Sequence, residues 1–196
     1  MPMEIWVACV GLGLLLWWLL LWLTRPMVTK ERVRKAYGGW RLVYSDERGR
    51  RRRGVVYSKL LHAEKSGLTG KPDMIYEKIV GRGWMPVELK SGRIGGDDMP
   101  HEGDLLQLAA YFAIVEDVYG KRPRLGRIVY ADGAFCVRNT RALRRRLADT
   151  LARMRYMLEA GEGAEEANSD YATCRYCLCK QTVCEYSYFV EESAER

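Results

Sequence analysis

Charge is missing from one stretch of this chain, and that absence excludes a good deal. Residues 5–23, IWVACVGLGLLLWWLLLWL, contain no Asp, Glu, Lys or Arg. A helix apolar on every side has no place on a soluble surface, and at this length it would span about 28 Å, close to a bilayer's hydrocarbon core. The basic start and small-residue cleavage site of a signal peptide are missing too. The chain opens MPME and the run ends Leu-Thr-Arg-Pro, so a retained transmembrane helix is expected in preference to a cleaved leader. Outside the C-terminal tail the only cysteines are Cys9 and Cys136, which argues against a disulfide scaffold. Histidine is scarce: His62, at a strand's end, and His101, before a helix, are the two imidazole candidates for a base or ligand. No internal repeat is visible.

What is present is enough apolar content, 48% of 196 residues, for a real core, which excludes global disorder. The net charge of +7, much of it clustered arginine, favours an anionic partner, either nucleic acid or a membrane surface. After the apolar run, Arg25, Lys30, Arg32, Arg34 and Lys35 outweigh Glu31. The positive-inside tendency then places the C-terminal domain in the cytoplasm of a single-pass membrane protein.

The organisation expected is an anchor at 1–25, a basic linker at 26–39, a folded domain at 40–160 and a cysteine-rich tail at 161–196. WRLVYS and VVYSKLL, around the basic turn DERGRRRRG, read as a hairpin. GKPDMIYEKIV and WMPVELKS are two further strands, joined at Gly81-Arg82-Gly83. Residues 91–100 read as a loop. Residues 104–119 read as a helix with Leu105, Leu108, Ala109, Phe112, Val115 and Tyr119 apolar. LGRIVYAD and AFCVRN are strands. Residues 140–160 give the clearest helical stripe, Leu143, Leu147, Leu151, Met154 and Leu158, with arginines around it. This order makes an α/β domain with a mixed sheet.

Asp73 and Glu88 lie in neighbouring strands about 4.8 Å apart, so their carboxylates can converge at one end of the pair. Converging carboxylates repel unless a cation answers them, and oxygen ligands suit Mg²⁺ or Mn²⁺. Lys90, two residues after Glu88, shares its face and is suited to orienting a water and steadying a phosphate's developing charge. Gln107 and Tyr111, four apart, share a helix face. In the tail, Cys174, Cys177, Cys179 and Cys184 bring four thiols within reach of one centre, iron–sulfur or zinc; a degenerate, metal-free tail is the plain alternative. The arginines at 50–53 and 144–146 suit phosphate contacts, or a solvated loop and helix face.

GKPD at 70–73, VELK at 87–90 and QLAAY at 107–111 resemble the RecB-like branch of the PD-(D/E)XK nucleases, most closely the CRISPR-associated RecB-like exonucleases. The resemblance implies a restriction-endonuclease-like mixed sheet flanked by helices. It also implies a metal-dependent DNA exonuclease, linked to CRISPR adaptation or DNA repair. Asp73, Glu88 and the Leu89 carbonyl would bind the metal, Lys90 would aid hydrolysis, and Gln107 and Tyr111 would contact substrate. The tail would carry an iron–sulfur cluster, although the family's early cysteine and early histidine have no counterpart here. The rival readings are a non-catalytic DNA-binding or scaffold protein at the membrane that keeps the fold, and a zinc-ribbon interaction module.

Overall fold

The computed structural model describes residues 3–23, 26–33, 37–46, 52–96 and 98–160. The chain divides into two compact units, Met1–Arg145 and Arg146–Arg196. The first unit is built on a seven-stranded sheet of order β1-β9-β8-β7-β6-β2-β3. Its strands are β1 (Val28–Glu31), β2 (Trp40–Ser45), β3 (Val56–Tyr57), β6 (Met74–Lys78), β7 (Trp84–Leu89), β8 (Leu125–Val129) and β9 (Ala134–Arg138). A separate pair joins β4 (Leu61–Ala63) to β5 (Leu68–Gly70). The helices are α1 (Met3–Leu23), α2 (Glu102–Tyr119) and α3 (Arg141–Ala160).

The expected mixed sheet flanked by helices is present, and three of its details differ from expectation. The segment read as one strand at 70–80 is two strands, β5 and β6, interrupted at Lys71-Pro72-Asp73. Pro72 has no N–H to give a ladder, so pairing stops there and Asp73 is left at the start of β6. The expected hairpin is instead a parallel contact of β2 with β3, limited to Tyr44↔Val56 and Ser45↔Tyr57, and the antiparallel partner of β2 is β6. Residues 28–31, within the expected linker, form edge strand β1 against β9.

The end of the sheet that carries Glu88 is set by a parallel pair. β7 and β8 run the same way, with Glu88 beside Ile128, so the chain must cross over between them, and α2 is that crossover. Tyr111, Phe112, Ile114 and Val115 of α2 are buried. Gly126 of β8 lies under the helix, where an added Cβ would sit 2.8 Å from the Phe112 ring and 3.0 Å from Leu108. A glycine at this position lets α2 settle close to the strands. The helix stops at Gly120, whose φ of 60° suits a left-handed cap. At its other end, the loop after Lys90 is pinned by Asp132, which accepts from the N–H groups of Ile94 at 2.9 Å and Gly95 at 3.0 Å. Those bonds hold the Asp132 carboxyl below its ordinary range.

The membrane-spanning anchor is corrected. Among residues 9–20 of α1 the leucines, Trp17 and Trp18 are exposed. Among the described residues no helix is long and apolar enough to cross a membrane. The single-pass topology, the membrane as partner and the cytoplasmic placement inferred from the anchor fall with it. The stripe of α3 is also less buried than its spacing suggests: Leu143 is fully buried, but Met154 and Leu158 are exposed.

Candidate active site

Asp73, Glu88, Lys90, Gln107 and Tyr111 meet where β6, β7 and α2 converge. Asp73 sits just before β6, and its Oδ2 accepts the Leu89 N–H at 2.6 Å. Glu88, near the end of β7, is 5% exposed in a sheet interior, so its carboxylate needs partners. Its Oε1 accepts from Gln107 Nε2 at 2.7 Å and faces Lys90 Nζ at 3.2 Å. Its Oε2 is buried, with no hydrogen-bond partner among the described residues. Burial first, and the Asp73 charge second, push the Glu88 carboxyl up to about 7.

Lys90 continues the line of β7, and its N–H bonds to the Val129 carbonyl at 2.7 Å. Its ammonium donates to Gln107 Oε1 at 2.6 Å and pairs with Asp104 Oδ1 at 2.9 Å. Burial would lower its pKa, but the bonds to Asp104 and Glu88 outweigh that and hold it above the ordinary value. Gln107 also donates to the Tyr111 hydroxyl at 2.9 Å, which in turn donates to the Lys71 carbonyl at 3.2 Å. Burial raises the Tyr111 pKa.

Two residues absent from the expected set belong to this network. Asp104, one turn before Gln107, accepts from Lys90 and from the Tyr130 hydroxyl, the latter at 2.5 Å. Its signal in the sequence is the three-residue spacing to Gln107, which places both on one helix face. Tyr130, just after β8, gives no such signal, because only the parallel β7–β8 pairing brings it near. Burial and then the Asp104 bond hold its hydroxyl well above the ordinary tyrosine range, so it stays a donor.

His62 lies outside this network, and His101 touches it through its backbone N–H, which donates to the Tyr130 hydroxyl at 3.4 Å. His62 Nδ1 is 2.7 Å from Thr69 Oγ1 across the small β4–β5 pair. His101 caps the start of α2 without a side-chain capping bond, and its ring is edge-on to Tyr130 at 5.9 Å. Of the arginines, Arg144 pairs with Glu116 at 2.8 Å, Arg52 and Arg53 are exposed, and Arg50 and Arg51 lie outside the described residues.

The metal expectations are corrected. Among the described residues no group of three or more His, Cys, Asp or Glu could hold a metal ion. At Asp73, Glu88 and Leu89, where Mg²⁺ or Mn²⁺ was expected, the described side chains offer two carboxylates. The positive charge answering Glu88 and Asp104 is the Lys90 ammonium. Leu89 enters through its N–H, bound to Asp73. Cys174, Cys177, Cys179 and Cys184 lie outside the described residues, whose free cysteines are Cys9, exposed, and Cys136, half-buried on β9. The described residues therefore supply no iron–sulfur or zinc centre.

A family model described as the PD-(D/E)XK nuclease superfamily matches residues 17–185. It does not distinguish a branch within the superfamily. No curated protein matches the chain.

Proposed function

The chain belongs to the PD-(D/E)XK nuclease superfamily, and from that premise we propose that it is a deoxyribonuclease whose hydrolytic site is formed by Asp73, Glu88, Lys90 and Gln107. The observation that carries the reading is the closed set of contacts among Glu88, Lys90 and Gln107, each within 3.2 Å of the next. Hydrolysis of a phosphodiester needs a group to take the proton from water and a positive group near the phosphoryl oxygens. A carboxyl titrating at about 7 is half-ionised near neutrality and suited to the first task. Glu88 Oε2, which has no hydrogen-bond partner among the described residues, is the atom that would receive the proton. Lys90, held charged by its acceptors, suits the second task, because a fixed ammonium in a half-buried site stabilises developing negative charge more than a solvated one does. Asp73 acts on Glu88 by keeping its carboxyl weak.

Two finer points belong to the same proposal. Placement in the RecB-like branch rests on the order GKPD, VELK, QLAAY, and a preference for DNA ends is what that placement implies. The test is cleavage of end-labelled linear DNA and of a closed circle by the full chain, with a divalent cation and with a chelator in parallel. The expected result is loss of the linear substrate, at a rate that climbs as pH passes about 7, because the base must be ionised. DNA binding without cleavage under either condition would overturn the hydrolytic role in favour of the non-catalytic reading.

A further inference from the structure

An ammonium carries three N–H donors. Lys90 has three acceptors around it, Gln107 Oε1 at 2.6 Å, Asp104 Oδ1 at 2.9 Å and Glu88 Oε1 at 3.2 Å. To reach a phosphoryl oxygen it must release one of them, and the longest contact is the one to Glu88. The remaining two then fix where the ammonium points. Gln107 is itself shared with Glu88 and Tyr111, whereas Asp104 has its other oxygen held by Tyr130. Asp104 sits in the first turn of α2, where a carboxylate is favoured by the helix dipole, and Tyr130 comes from the chain just beyond β8. The brace on Lys90 therefore joins the C-terminal ends of β7 and β8 through the first turn of α2.

We propose that Asp104 is a positioning residue that aims the Lys90 ammonium at the substrate phosphate, and that Tyr130 holds Asp104 in place for it. The inference rests on the nuclease reading for its catalytic consequence and on the contacts alone for its structural part. Asp104 touches no reacting atom; it acts through Lys90. Removing it should therefore matter only while Lys90 is there. A residue that merely supports the fold would lower activity whether or not Lys90 is present.

The experiment has two arms on the full chain. In the first, kcat and KM for DNA cleavage are measured for Asp104→Ala, Tyr130→Phe, Lys90→Ala and the double variant Asp104→Ala/Lys90→Ala. Asp104→Ala should lower kcat by about tenfold to a hundredfold, the usual worth of a bond to a charged group. Its KM should stay within about twofold of the parent's, and Tyr130→Phe should show a smaller fall. The double variant should be no slower than Lys90→Ala, and Asp104→Glu should recover part of the rate. Additive losses in the double variant would overturn the proposal. The second arm needs no activity: acylation of lysines by an activated ester, read peptide by peptide, with exposed Lys59 as reference. Lys90 should react slowly in the parent and at least about fivefold faster in Asp104→Ala, since a braced ammonium is a poor nucleophile. Unchanged Lys90 labelling would overturn the brace. If the parent cleaves no DNA, the nuclease reading fails, and labelling alone decides whether Asp104 holds Lys90.

Discussion

Helices α2 and α3 are of similar length, eighteen and twenty residues, and both carry apolar residues at helical spacing, yet their fates differ. In α2 the residues Leu105, Leu108, Ala109, Phe112 and Val115 are all buried. In α3 the burial is complete at Leu143 and gone by Met154 and Leu158, which are 54% and 82% exposed. The sequence of α3 has the cleaner separation of leucine from arginine, and it is the less buried helix. Periodicity predicts that a helix forms and which stripe is apolar. Burial requires a matching surface, and for α2 that surface is β7 and β8 with Gly126 cleared for it. The same close seat brings Gln107 to Glu88 and Asp104 to Lys90, so packing and chemistry are coupled at α2.

The sharpest way to break this comparison is to remove one leucine from each helix. Leu108→Ala should cost about 2–5 kcal/mol of stability, since a fully buried leucine leaves both a transfer loss and a cavity. Leu158→Ala should cost less than about 0.5 kcal/mol, as expected of an exposed position. Denaturant melts of the two variants check this, and equal losses would refute the contrast.

The pH dependence of stability comes next in size. Glu88 has its carboxyl raised from 4.5 to about 7 in the folded state, so the folded protein holds this proton more tightly than the unfolded chain does. The associated stability is fully present below about pH 4.5 and is lost as pH rises through about 7, a change of up to roughly 3 kcal/mol. Glu88→Gln carries no such proton. Melting temperatures between pH 5 and 8 should therefore fall more steeply for the parent than for the variant; parallel profiles would show that Glu88 is not the group responsible. Smaller again is Gly126→Ala, at about 1–3 kcal/mol, because Phe112 and Leu108 must shift to admit the methyl group. That shift moves α2, so cleavage should fall by more than the lost folding alone explains. Activity unchanged alongside reduced stability would separate the packing of α2 from its chemistry.

Much of the central architecture was legible in the sequence, for reasons these elements make plain. Alternation in WRLVYS and helical spacing in 104–119 are local patterns, and each survives folding because each is consistent with its surroundings. GKPD, VELK and QLAAY were legible because two short strand segments and one helix face place them with little freedom. What was not legible depends on distant pairing. Tyr130 reaches Asp104 only because β8 lies parallel to β7. The four residues Val28–Glu31 become a strand only because β9 offers an edge. The reading of residues 5–23 as an anchor came from composition alone, and the described part of α1 does not provide a helix able to cross a membrane. The expected Mg²⁺ or Mn²⁺ site rests on two converging carboxylates and on the family resemblance, whereas Glu88 and Asp104 are answered by Lys90 and Asp73 accepts the Leu89 N–H.

The measurement that bears most directly on this account compares DNA cleavage by the full chain and its Lys90→Met and Glu88→Gln variants, with melting curves to confirm folding. Each variant keeps the shape of its side chain and removes its charge. Both should lose at least about a hundredfold in kcat while remaining folded. Folded variants that cleave as fast as the parent would contradict the assignment of the site.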